Sequence, residues 1–175
     1  HQAVEAVRAG GFGNRVVTIR CNGLDTPWGA DDIVAIAAAM PDAIVLPKIA
    51  DTDDLARYKA ALAASGAVDS SRLWPMIEVP SAILTARDIA NDPDVDVFVM
   101  GTNDLTLELR AAAVPGRAPI VPHLAHALLA ARAGGIRIVD GVFNDIHDLD
   151  GFAAECRQGA EMGFDGKTLI HPTQV

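Results

Sequence analysis

Apolar and polar positions along the chain alternate between short aliphatic runs and longer stretches of helical period. The aliphatic runs predict strands at Arg15–Arg20, Ala43–Ile49, Leu73–Glu78, Val95–Gly101, Ile136–Val142 and Asp165–Ile170, each of strand length and bounded by turn or polar residues. Between most of them lie predicted helices, at Asp31–Met40, Thr52–Ser65, Ser81–Asn91, Ile120–Ala133 and Asp148–Met162. Asp31–Met40 opens on an acidic turn that complements the helix dipole. Asp51 or Thr52 is placed to cap the second helix, with Gly66 near its stop, and Gly134-Gly135 ends the fourth. Ala111–Pro122, with three prolines and a glycine, predicts a long loop after the GTND turn.

Strand then helix, repeated, argues for a parallel α/β sheet with right-handed crossovers. Two architectures satisfy it, an open doubly wound sheet and a (β/α)8 barrel. CNGLDTPWG, after the first strand, lacks GxGxxG spacing, which removes the main nucleotide motif of an open sheet. Six βα units are visible where a barrel needs eight, over about 250 residues. This count, with histidine as first residue, predicts a single partial barrel domain over 1–175 with residues upstream of it.

The chain has 175 residues, half of them apolar, enough for a sizeable core built from aliphatic side chains because aromatics are few. A formal net charge of −9 argues against nucleic acid, which needs clustered Lys and Arg. The two cysteines, Cys21 and Cys156, have no CxxC spacing, so a disulfide framework or structural zinc is not expected and a reduced, cytoplasmic compartment fits. No apolar run approaches the roughly 18 residues of a membrane helix.

The ends of the predicted strands hold the candidate chemistry. In a parallel α/β protein, strand C-termini share one face, so residues distant in sequence converge there. Glu78 closes LWPMIE, Asp104 follows VDVFVMGTN and Arg20 ends VVTIR. Two carboxylates from different loops make a minimal magnesium site with room for water or a bidentate 2-oxo acid. Arg20 can clamp a carboxylate or form a salt bridge to a neighbouring acid. The alternatives are a surface glutamate for Glu78 and an N-cap of the following turn for Asp104. Lys48 in VLPK could meet a phosphate or carboxylate, form a Schiff base, or sit in a structural ion pair. Cys21 reads as packing, Asp140 as a partner behind the site, His147 and His171 as surface or capping residues, and Trp28 as a loop anchor or pocket wall.

RCNGLDTPWGADD, VLPK, PMIEVPSAIL, VMGTNDL, DGVFNDIHD and GFDGKTLIHPTQV, in this order over nearly the whole chain, resemble the citrate lyase beta subunit and its relatives, the HpcH/HpaI aldolase and CoA-ester lyase group. The resemblance implies a (β/α)8 TIM-type barrel, here lacking its first two βα units (no VPG-type turn or DLED-type motif occurs) and its C-terminal helix. It implies Mg2+ and a carbon–carbon lyase that cleaves or forms a β-hydroxyacyl-CoA, as citryl-CoA and malyl-CoA lyases do, from an acyl-CoA and a 2-oxo acid. It assigns Glu78 and Asp104 to the metal, Arg20 to the oxo-acid carboxylate, and Gly101, Thr102 and Asn103 to the segment against that carboxylate. Lys48, Arg117 and Lys167 are candidates for the CoA phosphates. The expected partners are these small molecules and further copies of the chain in a homo-oligomer, with a trimer as one option. An aldolase acting without CoA and a non-catalytic assembly subunit are the rival readings.

Overall fold

The computed structural model describes residues 2–66 and 71–175. Its order is α1 (Gln2–Ala9), β1 (Thr18–Arg20), α2 (Gly29–Ala37), β2 (Ala43–Leu46), α3 (Thr52–Ala64), β3 (Arg72–Ile77), α4 (Pro80–Ala90), β4 (Val97–Met100), α5 (Thr102–Glu108), α6 (Val121–Gly134), β5 (Arg137–Asp140), α7 (Leu149–Met162) and β6 (Gly166–Lys167), with 3-10 turns at Pro115–Arg117 and Pro172–Gln174. All six expected strands form; five are shortened, and β3 keeps its length but starts one residue earlier, at Arg72, and ends at Ile77 before Glu78. The pattern assigns nothing before residue 15, so α1, which buries only Val4, is an addition.

The strands pair in parallel in the order β1-β2-β3-β4-β5-β6. Sequential order separates this sheet from a doubly wound one, whose order reverses at a switch point, and is that of a barrel section. One set of alternating side chains, including Ile44, Leu46, Leu73, Ile77, Phe98 and Ile138, is buried in the core. The other set, including Val45, Trp74, Met76, Val99 and Val139, lines a cavity of about 800 Å³.

Local chemistry sets the helix ends. Asp51 caps α3 by accepting from Asp53 and Asp54 N–H groups, and Asp148 caps α7 through Gly151. Gly135, at φ 73°, ends α6 in the left-handed region open to glycine. Small residues let α4 and α6 approach: a Cβ on Gly134 would lie 2.6 Å from the Ala90 carbonyl oxygen.

Candidate active site

The expected convergence occurs. Arg20, Lys48, Glu78, Gly101, Thr102, Asn103 and Asp104 all line the 800 Å³ cavity at the C-terminal ends of β1 to β4. Arg20 is the last residue of β1, is exposed, and makes no ion pair among the described residues. The salt bridge weighed for it is absent there, and its guanidinium is available to a ligand.

Glu78 follows β3 and is 5% exposed. Burial raises its carboxyl above the ordinary range, with the Lys48 N–H opposing and the nearby Asp104 charge adding to the rise. It is therefore not a surface residue. Oε1 accepts from the Lys48 backbone N–H at 2.8 Å, while Oε2 accepts no hydrogen bond from the described residues and lies against Gly101. Asp104 does not cap α5. Gly101 holds the N-cap position, and Asp104 sits in the first turn, its Oδ2 2.5 Å from Lys48 Nζ.

Lys48 thus touches both carboxylates, one through its backbone and one through its side chain. It does so from a left-handed backbone conformation, φ 54°, which is uncommon for a residue with a side chain. Its hydrogen bond to Asp104 raises the amine above the ordinary lysine range. An amine held protonated is a poor Schiff-base nucleophile, so the ion-pair reading describes Lys48 here. Cys21 is buried with its thiol pushed up to about 12 by desolvation, as expected for packing.

The GTND turn is held from behind. Asn103 and Asn144 exchange two side-chain hydrogen bonds, at 3.0 and 2.8 Å. Thr102 is buried against Gly141, where any Cβ would collide with its hydroxyl. Asp140 fixes Gly141 by accepting its N–H at 2.8 Å. Asp140 also takes Arg117 Nη1 at 2.7 Å and Lys167 Nζ at 3.3 Å, and Lys167 reaches Glu155 at 2.6 Å. Buried Arg117 and Asp140 with half-buried Lys167 and Glu155, two cations and two anions, close a neutral network. Arg117 and Lys167, candidates for CoA phosphates, are therefore committed to internal partners. Glu155 and Gln158, which binds Arg117 at 2.7 Å, went unmarked because their helix pattern reads as ordinary polar spacing. Trp28 is 61% exposed beside the first turn of α2 and outside the cavity wall, so it neither anchors the loop by burial nor lines the pocket. His171 caps the last 3-10 turn, accepting from Thr173 N–H.

No group of three His, Cys, Asp or Glu side chains suited to a metal occurs among the described residues. What the site offers is two carboxylates, one with an oxygen that accepts no hydrogen bond from the described residues. That set suits a hard cation which keeps water or substrate oxygens in its shell, and lacks the soft or nitrogen donors of zinc sites.

A parallel α/β sheet in sequential order, with acids and an arginine at its C-terminal mouth, is the architecture of a barrel section with a polar site at its strand ends. The model of the HpcH/HpaI aldolase/citrate lyase family matches residues 1–172, and the chain belongs to that family. It is 44% identical over 164 residues to a (3S)-malyl-CoA thioesterase of Cereibacter sphaeroides, covering 94% of this chain and 55% of that one. It is 30% identical to citrate lyase subunit beta of Leuconostoc mesenteroides subsp. cremoris, covering 98% and 59%. Among solved structures, protein CitE of Mycobacterium tuberculosis in complex with magnesium and pyruvate matches with a TM-score of 0.76 at 25% identity, covering 90% and 64%. The chain spans a little over half the length of the curated relatives it matches. No helix among the described residues is long and apolar enough to cross a membrane.

Proposed function

We propose that the protein is a magnesium-dependent carbon–carbon lyase which cleaves, or forms, a β-hydroxyacyl-CoA from an acyl-CoA and a 2-oxo acid. The observation that carries this reading is the meeting of Arg20, Glu78, Asp104 and the GTND turn at one cavity mouth. Glu78 Oε2 and Asp104 would hold the metal, which when bound supplies stabilisation of charge developing on the substrate oxygen. Arg20, which makes no ion pair among the described residues, orients the oxo-acid carboxylate, and the Gly101–Asn103 segment packs against it. Fixing that carboxylate converts binding into alignment of the breaking bond. The Asn103–Asn144 hydrogen bonds and the packing of Thr102 on Gly141 support this placement of the turn. We further propose that the complete domain is an eight-unit barrel, for which the sequential parallel order and the longer relatives are the support, and, as a separate proposal, that the full-length protein is a homo-oligomer.

The 44% identical thioesterase supports a second reading, hydrolysis of the same class of thioester. Product analysis separates the two. The full-length protein, given magnesium and (3S)-malyl-CoA, should release acetyl-CoA and glyoxylate. Free CoA and malate, with no oxo acid trapped at early times, would establish the thioesterase and refute the lyase. Neither product from this or citryl-CoA would favour an aldolase without CoA or an assembly subunit.

A further inference from the structure

We propose that Lys48 is a built-in counter-ion that competes with the metal for Asp104 and couples metal binding to the arrival of the anionic substrate. This rests on the metal site proposed above. Lys48 Nζ is 2.5 Å from Asp104 Oδ2 and 4.0 Å from Glu108, while its backbone N–H binds Glu78 Oε1. The ammonium therefore occupies, next to Asp104, the charge position of a cation. The backbone hydrogen bond is independent of the side chain, so Lys48 is anchored at the site whether or not its ammonium stays on Asp104. The side chain is half exposed and flexible, so it can leave.

Three consequences follow from charge alone. Magnesium entering between Glu78 and Asp104 must displace the ammonium, which weakens the metal when it binds by itself. The displaced ammonium, with Arg20 across the same cavity, then leaves two cations facing the space where the substrate anion sits. An anion that pairs with them removes the repulsion they exert on the metal, so metal and anion each raise the affinity for the other, by the same factor. Lys48 is in this sense a positioning residue that makes the site close on metal and substrate together.

The test is calorimetric titration of the full-length protein with magnesium alone and with magnesium in saturating oxalate, a stable mimic of a 2-oxo acid. Lys48→Met should bind magnesium alone about tenfold more tightly than the parent, the size expected from removing a partly solvated unit charge near a dication. Its enhancement by oxalate should shrink, and Lys48→Arg should stay close to the parent. Magnesium affinity unchanged or weakened in Lys48→Met would overturn the proposal. A measurement without substitution guards against misfolding: amine labelling read by peptide mass spectrometry should rise at Lys48 when magnesium is added, and no rise counts against the idea. Asp104→Asn, titrated in parallel, separates the layers. If it binds magnesium as the parent does, the metal site itself falls, and the role of Lys48 with it. If it weakens binding while Lys48→Met does not tighten it, the role of Lys48 alone falls.

Discussion

Gly101 makes room for Glu78. A methyl group on Gly101 would sit well inside van der Waals contact of both Cβ and Oε2 of Glu78, the oxygen that accepts no hydrogen bond from the described residues. Gly101→Ala should therefore push the Glu78 carboxylate out of place. The side chain is buried and cannot swing to open solvent without cost. We expect magnesium affinity to fall at least about tenfold and stability to drop by roughly 1–3 kcal/mol, the usual cost of overpacking. Calorimetry and thermal unfolding check both, and a variant with parent-like values in each would show that the contact is slack.

Asp104→Asn tests the other proposed ligand. The Lys48–Asp104 pair is half exposed, so its loss should cost less than about 1 kcal/mol of stability. Turnover of a β-hydroxyacyl-CoA should nearly vanish and return in part at high magnesium, since the amide keeps an oxygen but loses the charge. Full activity at ordinary magnesium would remove Asp104 from the chemistry.

Two acids should move stability in opposite directions with pH. Burial raises Glu78, so its ionisation above the unfolded carboxylate range, near 4.3, works against folding, and that cost disappears as pH falls. Glu78→Gln, whose amide oxygen can still accept from Lys48 N–H, should raise the melting temperature at neutral pH in a metal chelator, with the gain fading in acid. Asp165 is lowered, first by its hydrogen bond from Arg132, at 2.9 Å. Its contribution is present above the unfolded carboxylate range and lost as pH falls through the folded value. Asp165→Asn should lower the melting temperature at neutral pH and converge with the parent in acid. Melting curves from pH 3 to 8 decide, and a Glu78→Gln protein less stable at neutral pH would reverse the assignment.

Arg117 holds the network behind the GTND turn. Arg117→Met leaves Asp140 buried with only Lys167 and the Gly141 N–H. Breaking one partner of a buried pair costs about 3–5 kcal/mol, and denaturant unfolding should show a loss of that size. A loss under about 1 kcal/mol would mean that Lys167 compensates Asp140 alone.

By itself the sequence determined the fold class and the face on which the site lies. Aliphatic runs alternating with helical stretches have one economical solution, a parallel sheet with crossovers, and strand ends in such a sheet share a face. Hence Arg20, Glu78 and the GTND turn were legible before any coordinate, as were the cap at Asp51 and the stop at Gly135, which are local events; the cap at Asp148 was not marked. Only the tertiary structure decided which charges satisfy which. Lys48, Arg117 and Lys167 look alike in sequence, each a cation near a strand end or a loop. In space Arg117 and Lys167 are paired with Asp140 and Glu155, and among these three cations only Lys48 faces the carboxylates of the cavity. Pairing of buried charges is a long-range property. It depends on which segments meet, as Asp140 meets Arg117 from 23 residues away, and no local periodicity encodes that meeting.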